Sequence, residues 1–215
     1  MITDAQGHAL TGATNEAAAH YEQAVTAFNL YRGDPMAALD RALEAAPAFA
    51  MAHLLKAHLL AIATEPAAAA AGRELLQAIA DLPMNERERS HRAAIALILR
   101  GEWTAAAIAL DMHQTRHPFD IVSLQVGHLC DFFRASARHL RDRIARTLPH
   151  WSAALAALPA LTVEQLELQQ RFALGGACAA MHRVVAGAPA RSRAATCMKG
   201  RTSSLSGGAS ITIKA

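Results

Sequence analysis

The stretch Asn85–His91, Asn-Glu-Arg-Glu-Arg-Ser-His, puts two carboxylates, two guanidinium groups and an imidazole within seven residues. Glu86 or Glu88 has the chemistry of a general base, Arg87 or Arg89 that of an anion binder, and His91 that of a proton shuttle. The same residues also describe a helix start. Asn85 is a good N-cap, and Glu88 stands at the N3 position of a capping box. Glu86 and Glu88 fall in the first turn, where the helix dipole favours negative charge. Capping accounts for the pattern, with the arginines pairing locally and His91 packing where its helix meets the previous one. No catalytic residue is therefore assigned.

The other histidines invite a metal reading. His53 and His58 are five apart, so they do not share a helix face as an i, i+4 pair would. Adding His20 gives a conceivable ligand set, but HExxH and Cys/His ligand spacings are absent. His113, His117, His128 and His139 are scattered, and packing roles are expected for all of them. No metal ligand, cofactor-binding residue or cofactor is assigned. Arg134, Arg138 and Arg141 share one helix face, with His139, Arg143 and Arg146 near, a pattern that could meet RNA, phosphate or an acidic partner. A solvated helix face is the simpler reading, since no aromatic residue interleaves to stack on bases. Gly175-Gly176 and Gly207-Gly208 form neither a phosphate loop nor a dinucleotide fingerprint, and there is no GxSxG elbow. Cys130, among Leu129, Phe132 and Phe133, reads as a small buried apolar residue rather than a nucleophile.

These residues must be positioned by helices. The 215-residue chain is 53% hydrophobic and 5% aromatic, and is dominated by alanine, the best helix former. Period-2 alternation of β-branched residues is absent. The opening MITDAQGHALTGA lacks the apolar core of a secretory signal. The alanine-rich run from Ala45 to Gly72 is cut by Pro47, Lys56, Glu65 and Pro66, so no membrane span is expected. The three cysteines, Cys130, Cys178 and Cys197, are odd in number and widely spaced. That argues against a disulfide framework and for a cytoplasmic protein. The formal charge of +3 is unevenly spread: residues 1–167 hold all 18 acids and 14 of the 21 Lys/Arg. The body is mildly acidic and residues 168–215 carry the basicity, which makes nucleic-acid binding by the body a poor expectation.

Periodicity and breakers predict eight helices. Asn15 caps the first, which ends at Arg32-Gly33 and buries Ala18, Tyr21, Val25, Phe28 and Leu30. Asp34-Pro35 opens the second, which stops at Pro47. The third runs through FAMAHLLKAHLLAIA to Thr64. The fourth starts at Glu65-Pro66 and ends at Pro83. Asn85 caps the fifth and Gly101 closes it. The sixth runs from Glu102-Trp103 to Arg116, the seventh spans FDIVSLQVGHLCDFF, and the eighth ends at Pro149. The tight Gly/Pro connections predict antiparallel neighbours. Arg32–Phe49 and Arg100–Phe119 also repeat one another: each begins Arg-Gly-acid, continues as an Ala/Leu helix and reaches Pro, then Phe. Recurring helix pairs of this length mark solenoid arrays.

These stretches resemble tetratricopeptide repeats, with Leu39, Ala42 and Pro47 matching in the first copy and Ala106, Leu110 and Pro118 in the second. The large aromatic near the start of the repeat's first helix is missing. Residues 3–151 resemble, block by block, the tetratricopeptide repeat protein 38 family. The blocks are TDAQGHALTGA, FAMAHLLKAHLLA, NERERSHRAAIALILRGEW, RHPFDIVSLQVGHLCDFF and DRIARTLPHW. Blocks like Ala-Phe-Gly-Leu-Glu-Glu and His-Val-His-Glu-Met, which the resemblance implies should follow, do not occur after Trp151. The resemblance therefore implies a C-terminally truncated or frame-shifted member.

The expected fold is all-α: a tetratricopeptide-like solenoid of antiparallel helix hairpins with a disordered C-terminal tail. Residues 1–14 form an N-terminal arm, 15–150 the repeat domain, 151–175 an extra helix and 176–215 a disordered basic tail. The expected function is a non-enzymatic scaffold for a protein or peptide partner, with neither nucleic acid nor membrane as partner. One alternative is a fragment of an enzyme or small-ligand-binding protein whose site lies in the missing repeats. Another is binding of nucleic acid or an acidic partner through the Arg134–Arg146 helix and the tail. An uncapped last repeat would expose Ile144, Leu148 and Trp151 and promote self-association.

Overall fold

The computed structural model describes residues 1–157, and the side chains up to Trp151. Among these residues the chain is all-helical, with eight helices and no strand. They are α1 (Asn15–Leu30), α2 (Pro35–Ala45), α3 (Ala50–Ile62), α4 (Pro66–Ala78), α5 (Glu86–Leu99), α6 (Trp103–Arg116), α7 (Ile121–Phe133) and α8 (Ala137–Ala157). The expected tail and most of the expected 151–175 helix lie outside the described residues. No described helix is long and apolar enough to cross a membrane.

Local chemistry sets the helix starts. Asp34 accepts from the Ala37 N–H at 3.0 Å, and Pro35 occupies the first turn, where a missing N–H costs nothing. Asn85 and Glu88 close the expected capping box on α5. The first cap differs from expectation. Thr14, not Asn15, accepts the Ala17 N–H at 3.1 Å, because Asn15 has already entered the helix. The buried side of α1 is also shifted: Ala17 and Ala24 are buried with Tyr21, Val25 and Phe28, whereas Ala18 is half-buried and Leu30 is exposed.

α1 packs on α2, α3 on α4 and α5 on α6, and α6 and α8 both pack against α7. α3 sits at the centre, touching α2, α4, α5 and α7. Its Met51, Leu54 and Leu55 are completely buried, each worth about 1.5–3 kcal/mol of apolar burial. The contact of α3 with α7 skips a hairpin. A strictly one-dimensional stack, in which each unit touches only its neighbours, would not make it.

The N-terminal arm is docked. Asp4 accepts from the Gln6 and His8 N–H groups, and Leu10 is buried. The Thr11 N–H donates to Glu88 at 2.9 Å, and the Thr11 carbonyl accepts from Ala50 at 3.0 Å, so the arm is stitched to both α5 and α3. Gly12 makes this approach possible. Its φ is +74°, and a Cβ there would lie 2.0 Å from the Ala48 carbonyl oxygen.

The C-terminal end departs from expectation. α8 does not stop at Pro149 but carries on to Ala157, across the expected boundary at 150. Trp151 explains the continuation: its ring meets Phe119 edge-on at 5.5 Å and its Nε1–H donates to the Pro118 carbonyl. Burying this side chain offsets the helix bond that Pro149 cannot make. Ile144 and Trp151 are therefore buried and Leu148 half-buried, and the apolar surface expected from these three is not exposed. Among the described residues the exposed large apolar side chains lie elsewhere, at Met1, Leu30, Tyr31, Ile108, Met112, Phe132 and Phe133.

Candidate functional site: a buried carboxylate collecting imidazoles

Asp120 is the N-cap of α7, and its Oδ1 accepts the Ser123 N–H at 2.9 Å. That cap aims the other oxygen into the space between α5 and α6. Arg87 and His91 lie one turn apart on α5, so both can reach it. Arg87 Nη1 donates to Asp120 Oδ2 at 2.7 Å and His91 Nε2 does so at 2.9 Å. From α6, His113 Nε2 reaches the same oxygen at 3.1 Å. All four side chains are buried.

An ionised carboxylate only accepts, so the proton of each imidazole must sit on the Nε2 that faces Asp120. His91 Nδ1 is then an acceptor, and His58 Nε2 of α3 donates to it at 3.0 Å. His113 Nδ1 meets the Ser90 hydroxyl at 3.0 Å. The rings of His58, His91, His113 and His117 follow one another at centroid separations of 5.2, 4.7 and 4.8 Å, from the core to the surface. There His117 donates to Glu86 at 3.0 Å, and Arg116 pairs with the same carboxylate.

Electrostatics fixes the protonation. Burial pushes the His58 and His91 pKa values down, and for His58 the neighbouring His91 adds to the effect, so both rings are held neutral. Burial alone would raise the Asp120 carboxyl. The combined pull of His91, His113 and Arg87 reverses this and holds it well below the usual carboxylate range. Arg87 also pairs with Asp4 of the arm at 3.4 Å, which ties the arm to the same centre.

The expected candidates separate. Arg87 and His91 join the centre. Glu88 is fully buried but is committed to its cap and to Thr11. Glu86 and Arg89 are exposed, Arg89 bonding the Met84 carbonyl. His58 and His113, expected to be scattered packing residues, converge here. His53 instead bonds the Pro47 carbonyl and His20 lies against Gln23. His139 contacts Ser136. The arginine face is also divided. Arg138 is exposed, but Arg143 is buried between Asp131 at 2.9 Å and Asp111 at 2.7 Å, locking α8 to α7 and α6. Cys130 is buried as expected, and burial pushes its thiol up to about 12.

Asp120 was not singled out in the sequence. Its signal was weak: an Asp directly before an apolar helix is first of all a cap. Among the described residues, His91, His113 and Asp120 are the group whose donor atoms could hold a metal, all within 4.8 Å of one another. No family model matches the chain, and no solved structure matches it significantly.

Proposed function

We propose that the chain is an interaction module of the tetratricopeptide type, related to the tetratricopeptide repeat protein 38 family, and that it binds a protein or peptide partner through exposed apolar side chains of α6 and α7. One observation carries this reading. Ile108 and Met112 stand one turn apart on α6 and are 58% and 59% exposed, and Phe132 and Phe133 at the end of α7 are each 46% exposed. Phe133 meets Trp103 of α6 at 5.5 Å, which links the two helices at the surface. Large apolar side chains left exposed on neighbouring helices are candidate contact groups. In this reading the buried centre is architectural, holding α3, α5, α6, α7 and the arm in one arrangement so that these side chains are presented rigidly.

Peptide display tests the reading. Random peptides are selected on the immobilised chain and counter-screened on an Ile108→Asp/Phe133→Asp variant. Amphipathic peptides that bind the wild type alone support it, and equal binding to both contradicts it.

A second reading, a fragment of an enzyme or small-ligand-binding protein, draws on the Ser90–His113–Asp120 chain, which has the connectivity of an activated hydroxyl. Labelling of Ser90 by a fluorophosphonate would favour it over the scaffold.

A further inference from the structure

We propose that His91, His113 and Asp120 form a binding site for a divalent transition-metal ion, of the zinc and cobalt class, that staples α5, α6 and α7 together. The proposal does not depend on which partner the surface binds. Three observations support it.

The donor set is suitable. Two imidazole nitrogens and one carboxylate oxygen converge within 4.8 Å, and an N2O set of this kind suits zinc, cobalt or nickel.

The hydrogen bonding around Asp120 Oδ2 is overcrowded without an ion. Three donors, from Arg87, His91 and His113, compete for an oxygen with two lone pairs. A metal bonded to His91 Nε2, His113 Nε2 and Asp120 Oδ2 replaces two of these donors by one bond. Arg87 keeps the remaining lone pair. The imidazole protons then move to the distal nitrogens, where partners already stand: Ser90 Oγ for His113 and His58 Nε2 for His91. Metal-bound histidines have this outer contact almost without exception. His58 must then carry its own proton on Nδ1, and that atom has no partner to lose.

The local charge favours a cation. Two buried carboxylates, Asp4 and Asp120, pair with the single guanidinium of Arg87 and leave one negative charge in excess. A divalent ion compensates the excess.

The test uses the full chain, stripped with chelator and titrated with Co(II). The expected result is one equivalent bound, with the visible absorption of a low-symmetry nitrogen- and oxygen-ligated site, displaced by Zn(II), and a rise in Tm on adding Zn(II). His113→Gln should weaken binding at least tenfold, while His117→Gln, at the exposed end of the imidazole row, should leave it unchanged. Should His113→Gln fail to fold, 15N spectra of the wild-type imidazoles decide. Zn(II) should move the Nε2 resonances of His91 and His113 and shift the proton of each ring from Nε2 to Nδ1. The proposal is overturned by no saturable Co(II) spectrum and no Tm shift. It is equally overturned by binding that depends on His117 rather than His113, or by unmoved His91 and His113 nitrogens.

Discussion

His91 and Asp120, 29 residues apart, are joined by a 2.9 Å hydrogen bond in which the Nε2–H of a neutral imidazole donates to an ionised carboxylate, with both groups buried. This one bond ties the α5–α6 hairpin to the start of α7. It also fixes the proton of His58, which must donate to the nitrogen that His91 leaves free. Buried charge is costly unless every group in the set is matched, so a change at Asp120 should be felt by all its partners.

Asp120→Asn keeps the shape and removes the charge. Arg87 then remains buried with Asp4 as its only carboxylate, and at least one imidazole loses its acceptor. Breaking a buried pair in this way costs about 3–5 kcal/mol. The urea midpoint should fall accordingly, and a change of less than 1 kcal/mol would mean that the pair is not in place in solution.

The neutral histidines make the metal-free fold sensitive to acid. His58 and His91 bind a proton in the unfolded chain below about pH 6.5 but resist it in the folded one, where burial depresses both pKa values. The unfolded state therefore holds more protons in that range, and stability rises with pH. It is complete above 6.5 and is lost as pH falls below it, by up to about 1.4 kcal/mol per pH unit for each group. Urea midpoints measured between pH 8 and 5 should decline along this slope, and flat midpoints contradict the assignment.

Gly12→Ala should undock the arm. The new Cβ meets the Ala48 carbonyl at 2.0 Å on a backbone with φ of +74°, and neither can yield without breaking the Thr11–Ala50 bond. Overpacking and left-handed strain together predict a loss of about 1–3 kcal/mol or more. Amide exchange reads it directly: the Thr11 N–H, bonded to Glu88, should become unprotected in the variant. Protection equal to wild type would show that the arm tolerates the methyl group.

The helix order was legible in the sequence because proline, glycine and capping residues punctuate it: Asp34-Pro35, Glu65-Pro66, Asn85 and Gly101 all mark boundaries in the structure. Pro149 misled because a breaker signal is local, whereas the burial of Trp151 against Phe119 depends on the fold. The buried centre was illegible for the same reason. Its bonds join His58 to His91 across 33 residues, Arg87 to Asp120 across 33, and His91 to Asp120 across 29. No local spacing encodes such a set. The i, i+4 pairs Arg87/His91 and His113/His117 were the visible traces, and each alone also fits an ordinary helix face. Arg143 shows the converse: a residue read as part of a solvated stripe is buried by two carboxylates from other helices.

The most direct test of the central claim is the long-range 1H–15N spectrum of the histidine side chains in chelator-treated protein at pH 7.5, assigned by single substitutions. His58 and His91 should each appear as neutral rings with the proton on Nε2, and both should stay so as the pH is lowered to 6. Imidazolium signals for either ring, or titration of both at the ordinary value of 6.5, would contradict a buried carboxylate centre built around Asp120.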